Sequence, residues 1–295
     1  MFDKFRIPPS FSLIKKGKLY LLIHEKYKDL LLSQGIEEIE TFVRRNRSAV
    51  RYLQGRKPHP SVPIGKGDAV VIRQYSHGGL LRFITRSLFW TGSRSFEELS
   101  LTEEVRSAGI STIQPIAAIH RIVFPPLYRA YLLSLEISNT RDLIQHFHQI
   151  QALPPLKSIP LKRKTIRSIG ILLKQFHQAG FFHNDLQLKN FLVAGDQVLI
   201  IDFDRSCRKK VLSFRDRIKN LLRLNRSVDK WKRSGLPITR TDRWRFLMAY
   251  AGGDDEFIKA LRKASRIYSV SLFFHRCGWI LEKIVRSWEF GNRSH

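Results

Sequence analysis

The sequence predicts an α+β fold in two lobes, a β-rich N-lobe over residues 48–137 and a helical C-lobe over 138–295, preceded by an accessory extension over 1–47. Three observations carry that expectation. Short segments with strand patterning crowd between Ser48 and Tyr75. A strongly periodic helix, Lys164–Ala179, sets Ile166, Ile169, Leu172, Leu173 and Phe176 on one face and stops at Gly180. Finally, 43% hydrophobic residues in 295 can bury one large core or two lobes sharing a cleft.

In the extension, Lys18–Ile23 reads as a strand and Ile36–Val43 as a helix, with Glu37, Glu38 and Glu40 near its start, where the helix dipole favours acids. Strands Ser48–Leu53, Ser61–Ile64 and Ala69–Tyr75 then form a meander. Its second turn, Gly65-Lys66-Gly67-Asp68, precedes a strand. A phosphate-binding loop would feed a helix, so a hairpin is the better reading. The first turn, Gln54–Pro58, carries Gly55 and Arg56 where a kinase-like fold closes over nucleotide phosphates.

A basic stretch containing Gly78-Gly79 leads to a helix over Ser95–Ala108, with Ser95 as N-cap, Glu98 at the capping-box position and Gly109 as the stop. Tyr131–Ile137 reads as a strand, and Asn139 opens a loop into helix Asp142–Gln151. Pro154, Pro155 and Pro160 mark a loop before the long helix. Beyond it, Phe191–Val193 and Gln197–Ile201 form a hairpin around Ala194-Gly195-Asp196.

Charge narrows the partner. Fifty-two Lys and Arg against 25 Asp and Glu leave a formal net charge of +27, spread along the chain, which implies an anionic partner: nucleic acid, an acidic membrane surface or a phosphorylated glycolipid. Nucleic acid is not expected, because the aromatics sit in apolar runs such as Leu88-Phe89-Trp90 and Phe181-Phe182 instead of alternating with basic residues. Cys207 and Cys277 have no metal-site spacing and suit a reducing compartment. Pro8-Pro9 and Lys15-Lys16 interrupt any leader-like apolar run, and no stretch approaches a spanning helix. The expected location is the cytoplasm, at most peripheral to a membrane.

The chemistry concentrates in His183-Asn184-Asp185-Leu186-Gln187-Leu188-Lys189-Asn190 and in Ile201-Asp202-Phe203-Asp204. Asp185 precedes Asn190 as a catalytic Asp precedes its metal-binding Asn in kinases, and the hairpin returns Asp202 beside them. Phosphoryl transfer needs hard oxygen ligands for a divalent metal, here Asn190 and Asp202, and a carboxylate, Asp185, to orient and deprotonate the acceptor hydroxyl. His183 is expected to be structural. A kinase also needs a cation on the third strand and a helix glutamate to hold it. Arg73 supplies the cation, with Glu98 as natural partner and Glu97 as competitor; the alternative is that Glu98 only caps its helix while Arg73 faces solvent.

These residues together resemble the lipopolysaccharide kinase family, most closely its 3-deoxy-D-manno-octulosonic acid (Kdo) kinases. The likeness lies in Val71–Leu80, Arg94–Leu99 leading to Gly109, and His183–Asn190 with Ile201–Arg205. Ile238–Tyr250 looks like a C-terminal helix of the sister heptose kinases, so Kdo and heptose both stay open.

The resemblance implies a bilobal protein-kinase-like fold, ATP with Mg2+, and phosphorylation of a sugar hydroxyl on a lipid A-linked inner-core acceptor at the cytoplasmic face of the inner membrane. It gives the basic charge an anionic membrane surface to meet, with Arg205, Arg208, Lys209, Lys210 and the Arg240, Arg243, Arg245 group as candidate contacts. Gln187 where protein kinases have lysine, Asp204 in place of glycine, and the lack of Ala-Pro-Glu argue against a protein kinase. The substitution of arginine at position 73 keeps a non-catalytic relative among the alternatives.

Overall fold

The computed structural model describes residues 5–53, 58–65, 67–76 and 87–263. Among them, seven antiparallel strands form one sheet in the order β1-β2-β6-β7-β5-β4-β3. They are β1 (Phe11–Lys16), β2 (Leu19–His24), β3 (Arg51–Leu53), β4 (His59–Gly65), β5 (Asp68–Gln74), β6 (Pro115–Phe124) and β7 (Leu127–Leu135).

Both faces of this sheet are covered. Alternation along β2 sends Leu19, Leu21 and Ile23 to one face, where Leu31 of α1 (Lys28–Ser33) and Ile39 and Phe42 of α2 (Ile39–Arg45) pack on them. Leu22 points to the other face, against Phe96 and Leu99 of α3 (Arg94–Ser107). Segment 1–47, read from sequence as an accessory extension, thus supplies two strands and two covering helices to the main sheet, through pairs from Leu19↔Arg121 to Ile23↔Ala117.

Strand β6 has no counterpart in the sequence reading. Its residues Ile116–Ile119 are buried without a break because both faces are packed, so the alternation that reveals a one-sided strand is missing. The expected cap of α3 is also corrected. Ser93 precedes the helix, while the Ser95 hydroxyl donates to the Ile119 carbonyl (3.1 Å) and ties α3 to β6. Glu98 turns toward the sheet instead of back to a cap. Helix α3 also reaches the second lobe, since Leu101 and Val105 belong to its core.

The second lobe contains β8 (Thr140–Asp142), α4 (Leu143–Gln151), α5 (Pro155–Gln178), β9 (Phe181–Phe182), β10 (Phe191–Ala194), β11 (Gln197–Ile200), β12 (Cys207–Arg208), α6 (Phe214–Arg233) and α7 (Arg240–Ala251). The proline-rich stretch expected as a loop is helical. Pro155 occupies the first helical position, where its missing N–H removes nothing, whereas Pro160 lies inside the helix, past the first turn, where it forgoes one helical hydrogen bond. The apolar face of α5 is the expected one. Gly170 lets α7 approach it: a Cβ there would lie 2.7 Å from the Phe246 carbonyl oxygen.

Candidate active site

The loop between β9 and β10 carries Asp185 and Asn190, and a buried polar network beneath it fixes its shape. The Asp185 N–H donates to His183 Nδ1 (3.1 Å), so that nitrogen is an acceptor and the proton resides on Nε2, which donates to the Ile201 carbonyl (3.0 Å). His183 is fully buried, and desolvation lowers its pKa, keeping it neutral.

Asn220 of α6 clamps the same residue from below. Its side-chain oxygen accepts from the His183 N–H (3.0 Å), and its amide nitrogen donates to the His183 carbonyl (2.9 Å). The chain of bonds continues from Asn220 to His177 Nε2 (3.2 Å) and from His177 Nδ1 to the Tyr250 hydroxyl (2.7 Å). Burial pushes His177 down to about 3, so this network also stays neutral. Two turns further along α6, the Ser227 hydroxyl accepts from the Leu188 N–H (3.1 Å).

Gly180 (φ +84°) leads from α5 into β9, where only glycine fits: a Cβ would fall onto the Lys209 carbonyl, and the Lys209 N–H donates to the Gly180 carbonyl at 2.9 Å. That close approach lets β9 pair with β12 and brings residues 202–208 alongside the loop. Phe203 is buried against the rings of Phe176 (5.8 Å) and His183 (5.6 Å), and its neighbours Asp202 and Asp204 line the cleft. Asp202 adopts φ +68°, a region aspartate enters more readily than most residues.

Asn190 Nδ2 donates to the Asp185 carbonyl (2.7 Å), so the amide oxygen is the atom that could hold a metal, while the Ile201 N–H donates to the Asn190 carbonyl (2.9 Å) and draws the hairpin back to the loop. Among the described residues no group of three or more His, Cys, Asp or Glu side chains forms a metal site. An amide oxygen and one carboxylate nevertheless fit Mg2+, which takes few protein ligands and completes its shell with phosphates and water.

The opposite wall comes from the sheet. Alternation on β5 puts Val70 and Ile72 in the core under α1 and α2, so Arg73 and then Tyr75 face α3. Arg73 Nη2 forms an ion pair with Glu98, whose side chain is 2% exposed, and Nη1 donates to Asp202 (2.7 Å). The Tyr75 hydroxyl donates to the same Glu98 oxygen, and the Arg73 guanidinium lies 4.7 Å from the Tyr75 ring centroid. Burial pushes the Glu98 carboxyl up to about 7, against the pull of the Arg73 charge. Arg94 holds Asp204 with two hydrogen bonds and stacks 4.8 Å from the Phe89 ring centroid.

Asp185, Asp202, Asp204 and Arg205 line one cleft of about 270 Å³, with Asn190 joined to it through the Asp185 carbonyl and the Arg73–Glu98 pair through Asp202. Glu97 faces a separate hollow with Arg208, Lys209 and Lys210. Arg240 and Arg243 line a third, largely apolar one, where Arg243 pairs with Asp229 (2.6 Å). Gly55 and Arg56, and Gly78-Gly79, lie outside the described residues.

Sequence reasoning missed Tyr75, Arg94, Asn220, Arg223 and Ser227. The signal on α6 was present: Asn220, Arg223 and Ser227 recur at helical spacing beside the buried Ile218, Leu221 and Leu224.

A β-rich lobe with a strand cation paired to a helix glutamate, set over a helical lobe with an Asp…Asn loop and an Asp-Phe-Asp turn, places the chain in the kinase-like class. The family model described as "Lipopolysaccharide kinase (Kdo/WaaP) family" matches residues 40–250, and the chain belongs to that family.

The 3-deoxy-D-manno-octulosonic acid kinase of Vibrio cholerae serotype O1 is 34% identical over 167 residues, covering 54% of this chain and 65% of that protein. The enzyme of the same description from Vibrio vulnificus (strain YJ016) is 31% identical over 164 residues, covering 54% and 64%. The chain thus spans a little under two thirds of the length of these relatives. A solved structure described as "WaaP in complex with acyl carrier protein" superposes with a TM-score of 0.51 at 20% identity, covering 84% of this chain and 99% of that one, which establishes a shared fold.

Proposed function

We propose that the chain is an ATP-dependent kinase that phosphorylates a sugar hydroxyl, on Kdo or heptose, of the lipopolysaccharide inner core. The observation that carries this reading is the convergence of Asp185 and Asp202 on one cleft, the first bonded to Asn190 and the second to Arg73 of the Arg73–Glu98 pair. In this reading residues 48–137 and 138–295 act as the two lobes around it.

Asp185 orients the acceptor hydroxyl and takes its proton. The acceptor oxygen forms the new bond to the γ-phosphorus as the bond to the β–γ bridging oxygen breaks, and ADP leaves with that electron pair. Asn190 and Asp202 would hold Mg2+, which supplies charge neutralisation of the phosphates when bound. Arg73, fixed by Glu98 and Tyr75, presents a cation to the nucleotide phosphates. Gly55 and Arg56 belong to the turn assigned to phosphate contact, and Arg205 to the acceptor side, while Arg208 lies in the separate hollow with Glu97.

A lipid A-linked acceptor sits at a bilayer surface, and the net charge of +27 suits an anionic cytoplasmic face. No helix among the described residues is long and apolar enough to cross a membrane. The test is radiolabelled ATP with Mg2+ and, separately, Kdo-lipid A, heptosylated core and casein. Asp185→Asn should lower turnover about 10²–10⁴-fold with the fold intact by circular dichroism. Undiminished turnover would refute the role of Asp185, and label on casein alone would refute the glycolipid acceptor.

A further inference from the structure

Helix α6 delivers a cation to the centre of the site that the roles above do not use. Arg223 reaches from α6 to the catalytic loop and donates from both Nε (2.7 Å) and Nη2 to a single oxygen, Asp185 Oδ1. The other oxygen, Oδ2, accepts from Gln187 Nε2 (2.7 Å). Both oxygens of the proposed base therefore already hold donors from the protein, and an incoming hydroxyl has to share one of them.

Arg223 is also part of the cleft wall, with its side chain 41% exposed, next to Asn184 and Arg205. Among the described residues its Nη1 has no hydrogen-bond partner, and Arg205 makes neither a hydrogen bond nor an ion pair. The third arginine of the cleft, Arg94, is committed to Asp204. The two arginines with unused donors thus lie on the Asp185 side, whereas the nucleotide-side cation, Arg73, is committed to Glu98 and Asp202.

We infer that Arg223, assisted by Arg205, recognises an anionic group carried by the acceptor beside the hydroxyl to be phosphorylated, so that the preferred acceptor is a sugar acid and not a neutral sugar. A guanidinium can bridge two anions through its separate edges, here Asp185 through Nε and Nη2 and a carboxylate through Nη1. Such a bridge places the acceptor by its carboxylate and aligns the neighbouring hydroxyl with Asp185. A neutral acceptor offers Nη1 no anion and gains no such placement. This inference rests on the reading of Asp185 as the base, and between the two acceptors left open it selects Kdo, which carries a carboxylate, over unphosphorylated heptose.

The experiment compares Kdo-lipid A with the same glycolipid converted to its carboxamide, for the wild type, Arg223→Gln, Arg223→Lys and Asp185→Asn. The wild type should prefer the free carboxylate by about 10–10²-fold in kcat/KM, the range expected for a charge-assisted hydrogen bond. Arg223→Gln should lose that preference while its KM for ATP stays unchanged, and Arg223→Lys should recover part of it. A preference undiminished in Arg223→Gln, the absence of any preference in the wild type, or a defect confined to the KM for ATP would each overturn the role of Arg223 and leave the kinase reading standing. Full turnover by Asp185→Asn would overturn that reading and this inference together.

Discussion

The two walls of the cleft are built on opposite electrostatic plans. Beneath the catalytic loop, His183, His177, Asn220 and Tyr250 form a neutral buried network, with both histidines driven below their ordinary range by burial. Across the cleft, Arg73, Tyr75, Glu98 and Asp202 form a charged cluster, in which Glu98 is held near neutrality of the pH scale, at about 7. A neutral network fixes backbone geometry whatever the pH, whereas a charged one changes with it. The loop that carries Asp185 and Asn190 has the first plan; the contact proposed to meet phosphate has the second.

Asn220→Ala should produce the largest effect on folding. It leaves the His183 N–H and carbonyl buried without partners, a loss of about 2–4 kcal/mol in the unfolding free energy, read from the urea midpoint. A loss below about 1 kcal/mol would show that the network is not what holds the loop.

On the charged side, Glu98→Gln should lower kcat/KM by about 10–10²-fold with little change in the urea midpoint, because shape is kept while the anion that fixes Arg73 is gone. The wild-type pH profile sharpens the contrast. The folded chain holds the Glu98 proton up to about 7, above the ordinary carboxyl value of 4.5, so this group's contribution to stability is full below 4.5 and falls as pH rises toward 7. Activity should rise over the same window, as the carboxylate that pairs with Arg73 appears. In Glu98→Gln both trends should flatten. The smallest effect is expected for Ser227→Ala, which removes one hydrogen bond to the Leu188 N–H and should cost about 1 kcal/mol.

The sequence disclosed the parts of the site whose meaning lies in local spacing. Asp185, Asn190 and Asp202 stand in a recognisable order, and Arg73 and Glu98 follow from a strand and a helix that patterning locates. What it concealed depends on pairing at a distance. Strand β6 hides because burial on both faces erases alternation, and the place of β1 and β2 hides because nothing local says which edge they join. Asn220 and Arg223 sit on a helix so rich in Arg and Lys that its polar face reads as solvent-facing. Pro160 misled for the opposite reason: a strong local breaker was overridden by the packing of the rest of α5 against the core.

The attachment of β2 to β6 also bears on how the chain can be divided. A fragment beginning at Ser48 would strip β6 of its partner along Ala117–Arg121 and uncover the apolar side chains that α1, α2 and β2 now shelter. An unpaired edge next to a bare apolar face is a template for strand addition by another copy, so such a fragment should self-associate. With residues 11–24 in place, the described strand at this edge of the sheet is β1, which ends in Lys15-Lys16, a charged border that discourages the same event. The opening hairpin therefore also acts as a guard against aggregation.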